Sequence, residues 1–202
     1  MKISIDTKIL NVVHGHGKGW VFTPKHFSDL GDKYSVGMAL TRLSRKGRIR
    51  RLARGLYDYP AQHPKIGTLS PSLDALAKAL VGRDAIRLQP SGAYAANLLG
   101  LSEQVPMRVV FLTDGPNRHV RIGNQEIHLK RTTPRNMATA GRTSGLVIQS
   151  LRYLGQRRVD STVIQALKQR LNTSEKAGLI KDIRFAPAWI AAVIRQIAAQ
   201  DE

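Results

Sequence analysis

The chain has 202 residues and no cysteine. Structural disulfides, thiolate zinc sites and cysteine nucleophiles are therefore excluded. No run approaches the ~18 consecutive apolar residues that a membrane helix requires. The opening stretch MKISIDTKILNVVHGHGKG lacks the apolar core of a secretory signal. A soluble, cytoplasmic protein with no membrane partner is expected. Acidic residues are scarce, at 14 against 32 Lys and Arg, which leaves a net charge of +18. Such an excess favours a polyanionic partner, because each basic side chain laid on a phosphate releases condensed counterions. Aromatic residues are also few, at 5%, and Trp20, Phe22, Phe27, Tyr34, Tyr57 and Tyr59 crowd into the first 60 positions. Hydrophobic residues make up 42%, enough for a packed core.

Signatures of catalysis are missing too. There are no paired carboxylates at useful spacing and no G-x-S-x-G. The segment GHGKG (15–19) departs from the phosphate loop G-x-x-x-x-G-K-S/T: Gly19 follows Lys18, and a strand-like segment follows where a helix is needed. His14 and His16 have no third metal ligand nearby. His119 and His128 fall on polar strand faces and read as solvated. Asp114 reads as a turn residue. No enzyme, no cofactor and no metal is expected.

What is present divides at PAQHPKIGTLSP (60–71), where three prolines and a glycine interrupt the pattern. Two domains are expected: 1–62, a winged helix-turn-helix, and 67–202, a mixed α/β domain with a helical C-terminal part, so the fold class is α/β (α+β). In the first, a short helix around Ile3 to Val13 ends at the glycines of HGHGKG. A strand, Gly19–Thr23, follows. Thr23-Pro24 then starts a helix, PKHFSDL, that stops at Gly31. Ser35 is expected to cap the next helix, VGMALTRLSRK, ending at Gly47. Ile49–Leu52 and Leu56–Tyr59 form a hairpin through Ala53-Arg54-Gly55.

In the second domain a helix opens at Ser70-Pro71, and Ala85–Leu88 is a short strand. Ser91 caps the helix GAYAANLL. Met107–Thr113 is a continuous apolar strand, expected to be buried on both faces. Alternation around Gly123-Asn124 marks a hairpin. From Ser144 onward the pattern is helical: one helix around Leu146–Leu154, one at Val159–Leu171, and a last one at Ala188–Ala199.

The helix after the turn carries the functional expectation. Val36, Ala39, Leu40 and Leu43 recur at i, i+3, i+4, i+7 and make one core face. The other face presents Gly37, Met38, Thr41, Arg42, Arg45 and Lys46, with Ser35 at its start. In helix-turn-helix proteins the second helix enters the major groove, where Arg can bind guanine in a bidentate way and Thr can touch a base. Gly37 weakens the helix by about 1 kcal/mol relative to Ala, which either a close approach of DNA or tight core packing explains. Arg48, Arg50, Arg51 and Arg54 crowd the hairpin, where they would grip phosphates, with Arg54 at the tip able to enter the minor groove.

The stretch ALTRLSRKGRIRRLARGLYDYP (39–60) resembles the signature of bacterial antitoxins of the AbiEi type, transcriptional regulators of abortive-infection, type IV toxin–antitoxin systems. PSGAYAANLLGLSEQVPMRVVFLTDGPNRHVRIGNQEIHLKRTTPRNM (90–137) is similar to the domain that follows the winged helix in that family. The resemblance covers roughly residues 1–140. It implies repression of the chain's own promoter at double-stranded DNA repeats, inverted where the protein pairs as a dimer. It also implies a nucleotidyltransferase-like toxin as functional partner, without stable direct contact. The positions it marks as DNA-facing are Thr41, Arg42, Arg45, Arg48, Arg50, Arg51 and Arg54.

Two other classes fit the charge. An RNA-binding or ribosome-associated module is suggested by the +9 of residues 67–202 (19 basic, 10 acidic), but residues 1–66 hold the same +9 (13 basic, 4 acidic) in half the length. A nuclease would need an Asp/Glu/Lys constellation that the sequence does not show.

Overall fold

The computed structural model describes residues 3–82 and 85–199, a mixed α/β chain in two compact units. The outermost residues of both expected domains, 1–2 and 200–202, lie outside the described ones. The first unit takes the chain up to Ala85 together with Val120–Ile122; the second takes Ile86–His119 and everything from Gly123 on.

In the first unit, α1 (Ile5–His16) starts at Ser4, whose hydroxyl oxygen accepts the Thr7 N–H. It ends at Gly17, where φ is +83°, a conformation that glycine adopts without steric cost. β1 (Val21–Phe22) follows, then a single 3-10 turn, Pro24–Phe27. The longer helix expected to run to Gly31 does not form. The N–H groups of Ser28 and Leu30 bond three residues back, and the Ser28 hydroxyl donates to the same Lys25 carbonyl, a local competition that cuts helices short.

α2 (Lys33–Arg45) begins one turn earlier than the sequence suggests. Asp32, not Ser35, is its cap: the Asp32 carboxylate accepts the N–H groups of Tyr34 and Ser35 and the Ser35 hydroxyl. Val36, Ala39, Leu40 and Leu43 are all buried, as their spacing requires, in a core shared with Ile9, Val13, Phe22 and Phe27.

β2 (Arg50–Ala53) and β3 (Leu56–Asp58) form the expected hairpin, and β1 joins them in an antiparallel sheet of order β1-β3-β2. The proline-rich stretch forms a small hairpin of its own, β4 (Gln62–His63) with β5 (Gly67–Thr68). Ser72, rather than Ser70, caps α3 (Leu73–Val81).

The second unit is built on a four-stranded sheet, except that residues Val120–Ile122 of one strand group with the first unit. β6 (Leu88–Ser91) leads into α4 (Gly92–Leu98), then β7 (Arg108–Thr113), β8 (Arg118–Ile122) and β9 (Gln125–Arg131), in the order β6-β7-β9-β8. The strand expected at Ala85–Leu88 starts only at Leu88 and passes through Pro90; an edge strand tolerates a residue without an N–H. β7 runs antiparallel to β6 and parallel to β9. It is buried on one face only: Val109, Phe111 and Thr113 point into the core, while Arg108, Val110 and Leu112 alternate onto the other side. This corrects the expectation of burial on both faces. The packed helices cover one side of the sheet.

α5 (Pro134–Met137) leads to α6 (Thr143–Leu154), which packs on β6 and α4. A Cβ on Gly145 would collide with the Gln89 side chain and the Thr139 carbonyl, so this position requires glycine. α7 (Ser161–Arg170), α8 (Thr173–Asp182) and α9 (Ala188–Ala198) complete a helical cluster around Val147, Leu151, Leu167, Leu179, Ile190 and Ile194. Among the described residues no helix is long and apolar enough to cross a membrane.

Candidate nucleic-acid interface

The side of α2 turned away from the core faces the β2–β3 hairpin across an open groove of about 700 Å³. From the helix and its cap, Asp32, Lys33, Tyr34, Gly37, Met38 and Thr41 line it; from the hairpin, Arg51, Arg54, Gly55 and Tyr57, so three cations face one carboxylate. Of the residues singled out in the sequence, the fold brings Gly37, Thr41, Arg51 and Arg54 together here. Lys33 and Tyr34, and Met38 as a groove residue, were not singled out. Their signal is exposure: Tyr34 is 76% exposed and Met38 43%, large apolar groups held in solvent on a polar helix face.

Gly37 has open space where its Cβ would stand, with nothing within 4 Å. Core packing therefore does not account for the glycine. The Thr41 hydroxyl donates to the Gly37 carbonyl at 2.9 Å, so its proton is engaged and its oxygen remains free to accept. The Ser35 hydroxyl is likewise taken up by Asp32. Those bonds hold the Asp32 carboxyl below its usual pKa, chiefly through the Ser35 hydroxyl.

The arginines separate into paired and unpaired groups. Arg50 is paired: its guanidinium donates to Asp58 at 3.0 and 2.5 Å and to the Leu69 carbonyl at 2.9 Å, and Asp58 is 1% exposed. The hydrogen bonds that its guanidinium donates to the Asp58 carboxylate raise the Arg50 pKa above its already high ordinary value. This position was expected to grip phosphate; the structure makes it an internal tie. A β-bulge is the cause. Ala53 pairs with Leu56, and an unbroken register from there would set Arg51 opposite Asp58. The irregularity between Arg51 and Ala53 advances the pairing by one residue, so Arg50 faces Asp58 and Arg51 faces Tyr57.

Arg51 is left exposed, its Nε only 3.5 Å from the Ala53 carbonyl. Arg54 occupies the two-residue turn with Gly55, whose φ is +72°. Arg42 points away from the groove toward α1 and forms a bidentate pair with Asp6, at 2.6 and 3.3 Å. That hydrogen bonding holds the Asp6 carboxyl below the usual carboxylate range and the Arg42 guanidinium above its ordinary value. Arg45, Lys46 and Arg48 are exposed beyond the groove, at the end of α2 and in the turn after it.

In the N-terminal unit, His16 stacks on Trp20 with ring centroids 3.8 Å apart, and the GHGKG segment is the turn from α1 into β1. In the second unit, Asp114 accepts both the backbone N–H and the guanidinium of Arg87, at 2.9 and 2.8 Å. The arrangement the sequence did not disclose is on β8 and β9, where His119, Glu126 and His128 bring their ligand atoms within 4.8 Å of one another. The two histidines were visible on polar strand faces; the glutamate between them was not connected to either.

These features define a mixed α/β protein whose N-terminal unit presents a cationic groove between a capped helix and a bulged hairpin. The chain belongs to a family of unknown function (DUF6088), whose model matches residues 8–179 and so spans the groove and most of the second unit. No curated protein was found to match the chain.

Proposed function

We propose that the chain is a sequence-specific double-stranded DNA-binding protein, with residues up to about 60 acting as a winged helix-turn-helix. The observation that carries this reading is the groove in which the exposed face of α2 meets Arg51 and Arg54 of the hairpin. In such a protein α2 enters the major groove and the hairpin serves as the wing on the flanking backbone. The residues near the start of α2 lie closest to the bases. Thr41 offers an acceptor, and Met38 and Tyr34 offer apolar contact of the kind that meets a thymine methyl. Gly37 admits a close approach where any larger side chain would stand.

The AbiEi-type resemblance extends the proposal to a repressor of its own operon that acts as the antitoxin of a nucleotidyltransferase-like toxin. The test is fluorescence anisotropy with the chain's own upstream DNA against a scrambled duplex and a structured RNA of equal length, at physiological salt. A preference of at least ~10³-fold for the upstream duplex is expected of a specific binder. Equal affinity for the two duplexes, or tighter binding to the RNA, overturns the reading.

A further inference from the structure

The cluster on the second unit is not used by the DNA-binding proposal. β8 and β9 are joined through Gly123-Asn124, and a two-residue turn sets His119 across from His128. Their ring centroids are 4.4 Å apart. Strand alternation places Glu126 on the same face as His128. Glu126 Oε2 lies 3.3 Å from His128 Nε2 and 4.0 Å from His119 Nε2.

We propose that His119, Glu126 and His128 form a binding site for a divalent transition metal of the zinc class. Tetrahedral zinc, with bonds of about 2.0–2.1 Å, sets neighbouring ligand atoms ~3.4 Å apart. The Glu126–His128 separation already matches; to reach that spacing His119 has to close by roughly 0.6 Å on Glu126 and by up to about 1.4 Å on His128. His119 is 54% exposed, so its ring has room to turn. Two imidazoles and one carboxylate suit zinc and its neighbours rather than magnesium or calcium, which take oxygen ligands. Three protein ligands leave a position open. Arg108, Arg118 and Lys130 line the same shallow pocket of about 610 Å³ as the two histidines. The open position therefore faces cationic side chains and takes water or an anion.

The chelator-stripped full chain is titrated with Zn²⁺ against a chromophoric competitor, and with Co²⁺ followed by visible absorption. One Zn²⁺ per chain and the intense d–d band of four-coordinate Co²⁺ are expected. H119A and H128A each weaken binding by more than ~100-fold, beyond the loss typical of an outer-shell partner. E126Q, which keeps the size of the side chain, weakens it at least ~10-fold and serves if H128A fails to fold. The H14A/H16A double variant binds as the unmodified chain does. The proposal is overturned if E126Q and H128A keep full affinity, if H14A/H16A is the variant that loses it, or if uptake is non-stoichiometric and unchanged in every variant.

Discussion

Arg50 and Arg51 are neighbours in sequence with opposite tasks. Arg50 neutralises Asp58 inside the N-terminal unit, whereas Arg51 stands in the groove. Replacing Arg50 leaves a buried carboxylate without its partner, and R50A should lower unfolding stability by about 3 kcal/mol, toward the low end for a buried pair because Arg50 is itself about a third exposed. R51A should leave the unfolding stability from urea titration within ~0.5 kcal/mol of wild type, as exposed substitutions do. Equal urea midpoints for the two variants would contradict the assignment.

Arg42 gives a second residue-scale prediction, this one dependent on pH. Asp6 has its pKa lowered in the folded state, mainly by the hydrogen bond from Arg42. The stability from this pair is therefore complete above the ordinary carboxylate range and is lost as pH falls through the depressed folded value. Wild type should melt above D6N at neutral pH, with the difference closing in acid. A melting difference that persists at low pH would assign the effect to packing instead.

At the scale of elements, α2 combines a polar cap, a buried face and an open face interrupted by Gly37. An alanine there meets no neighbouring atom. G37A should therefore stabilise the chain by up to about 1 kcal/mol, the difference in helix propensity. The same methyl would stand in the groove, so DNA binding should weaken while the melting temperature rises. Stabilisation without loss of binding would show that DNA does not approach the helix at this point. The amphipathic pattern of α2 was legible because every core position lies within two turns of the next. The 3-10 turn at Pro24–Phe27 was not, because Pro24 signals only that a helical turn starts. Its length depends on side-chain hydrogen bonds such as that of Ser28, which sequence periodicity does not register.

At the scale of the molecule, the +18 charge makes binding to any polyanion sensitive to salt. Arg51 and Arg54 each contribute one phosphate contact in the proposed mode. The R51A/R54A double variant should lower the slope of log affinity against log salt by about 2, on specific and scrambled DNA alike. Substitutions on the exposed face of α2, such as T41A, should instead reduce the preference between sequences with little change in slope. Identical behaviour of the two classes in a salt titration would argue against separate roles for helix and hairpin.

The excess of basic residues, the lack of cysteine, the buried stripe of α2, the β2–β3 hairpin and the helical C-terminal part all follow from composition or from short-range period, and the sequence determines them alone. Which of its basic side chains remain available is a different matter. Arg42 is taken by a carboxylate 36 positions away, and Arg50 rather than Arg51 meets Asp58 because of one bulged residue. The assembly of His119, Glu126 and His128 likewise depends on a strand folding back on its neighbour. Burial follows the local period of the chain, but ion pairs and ligand clusters depend on register and chain return. Only the tertiary structure decides those.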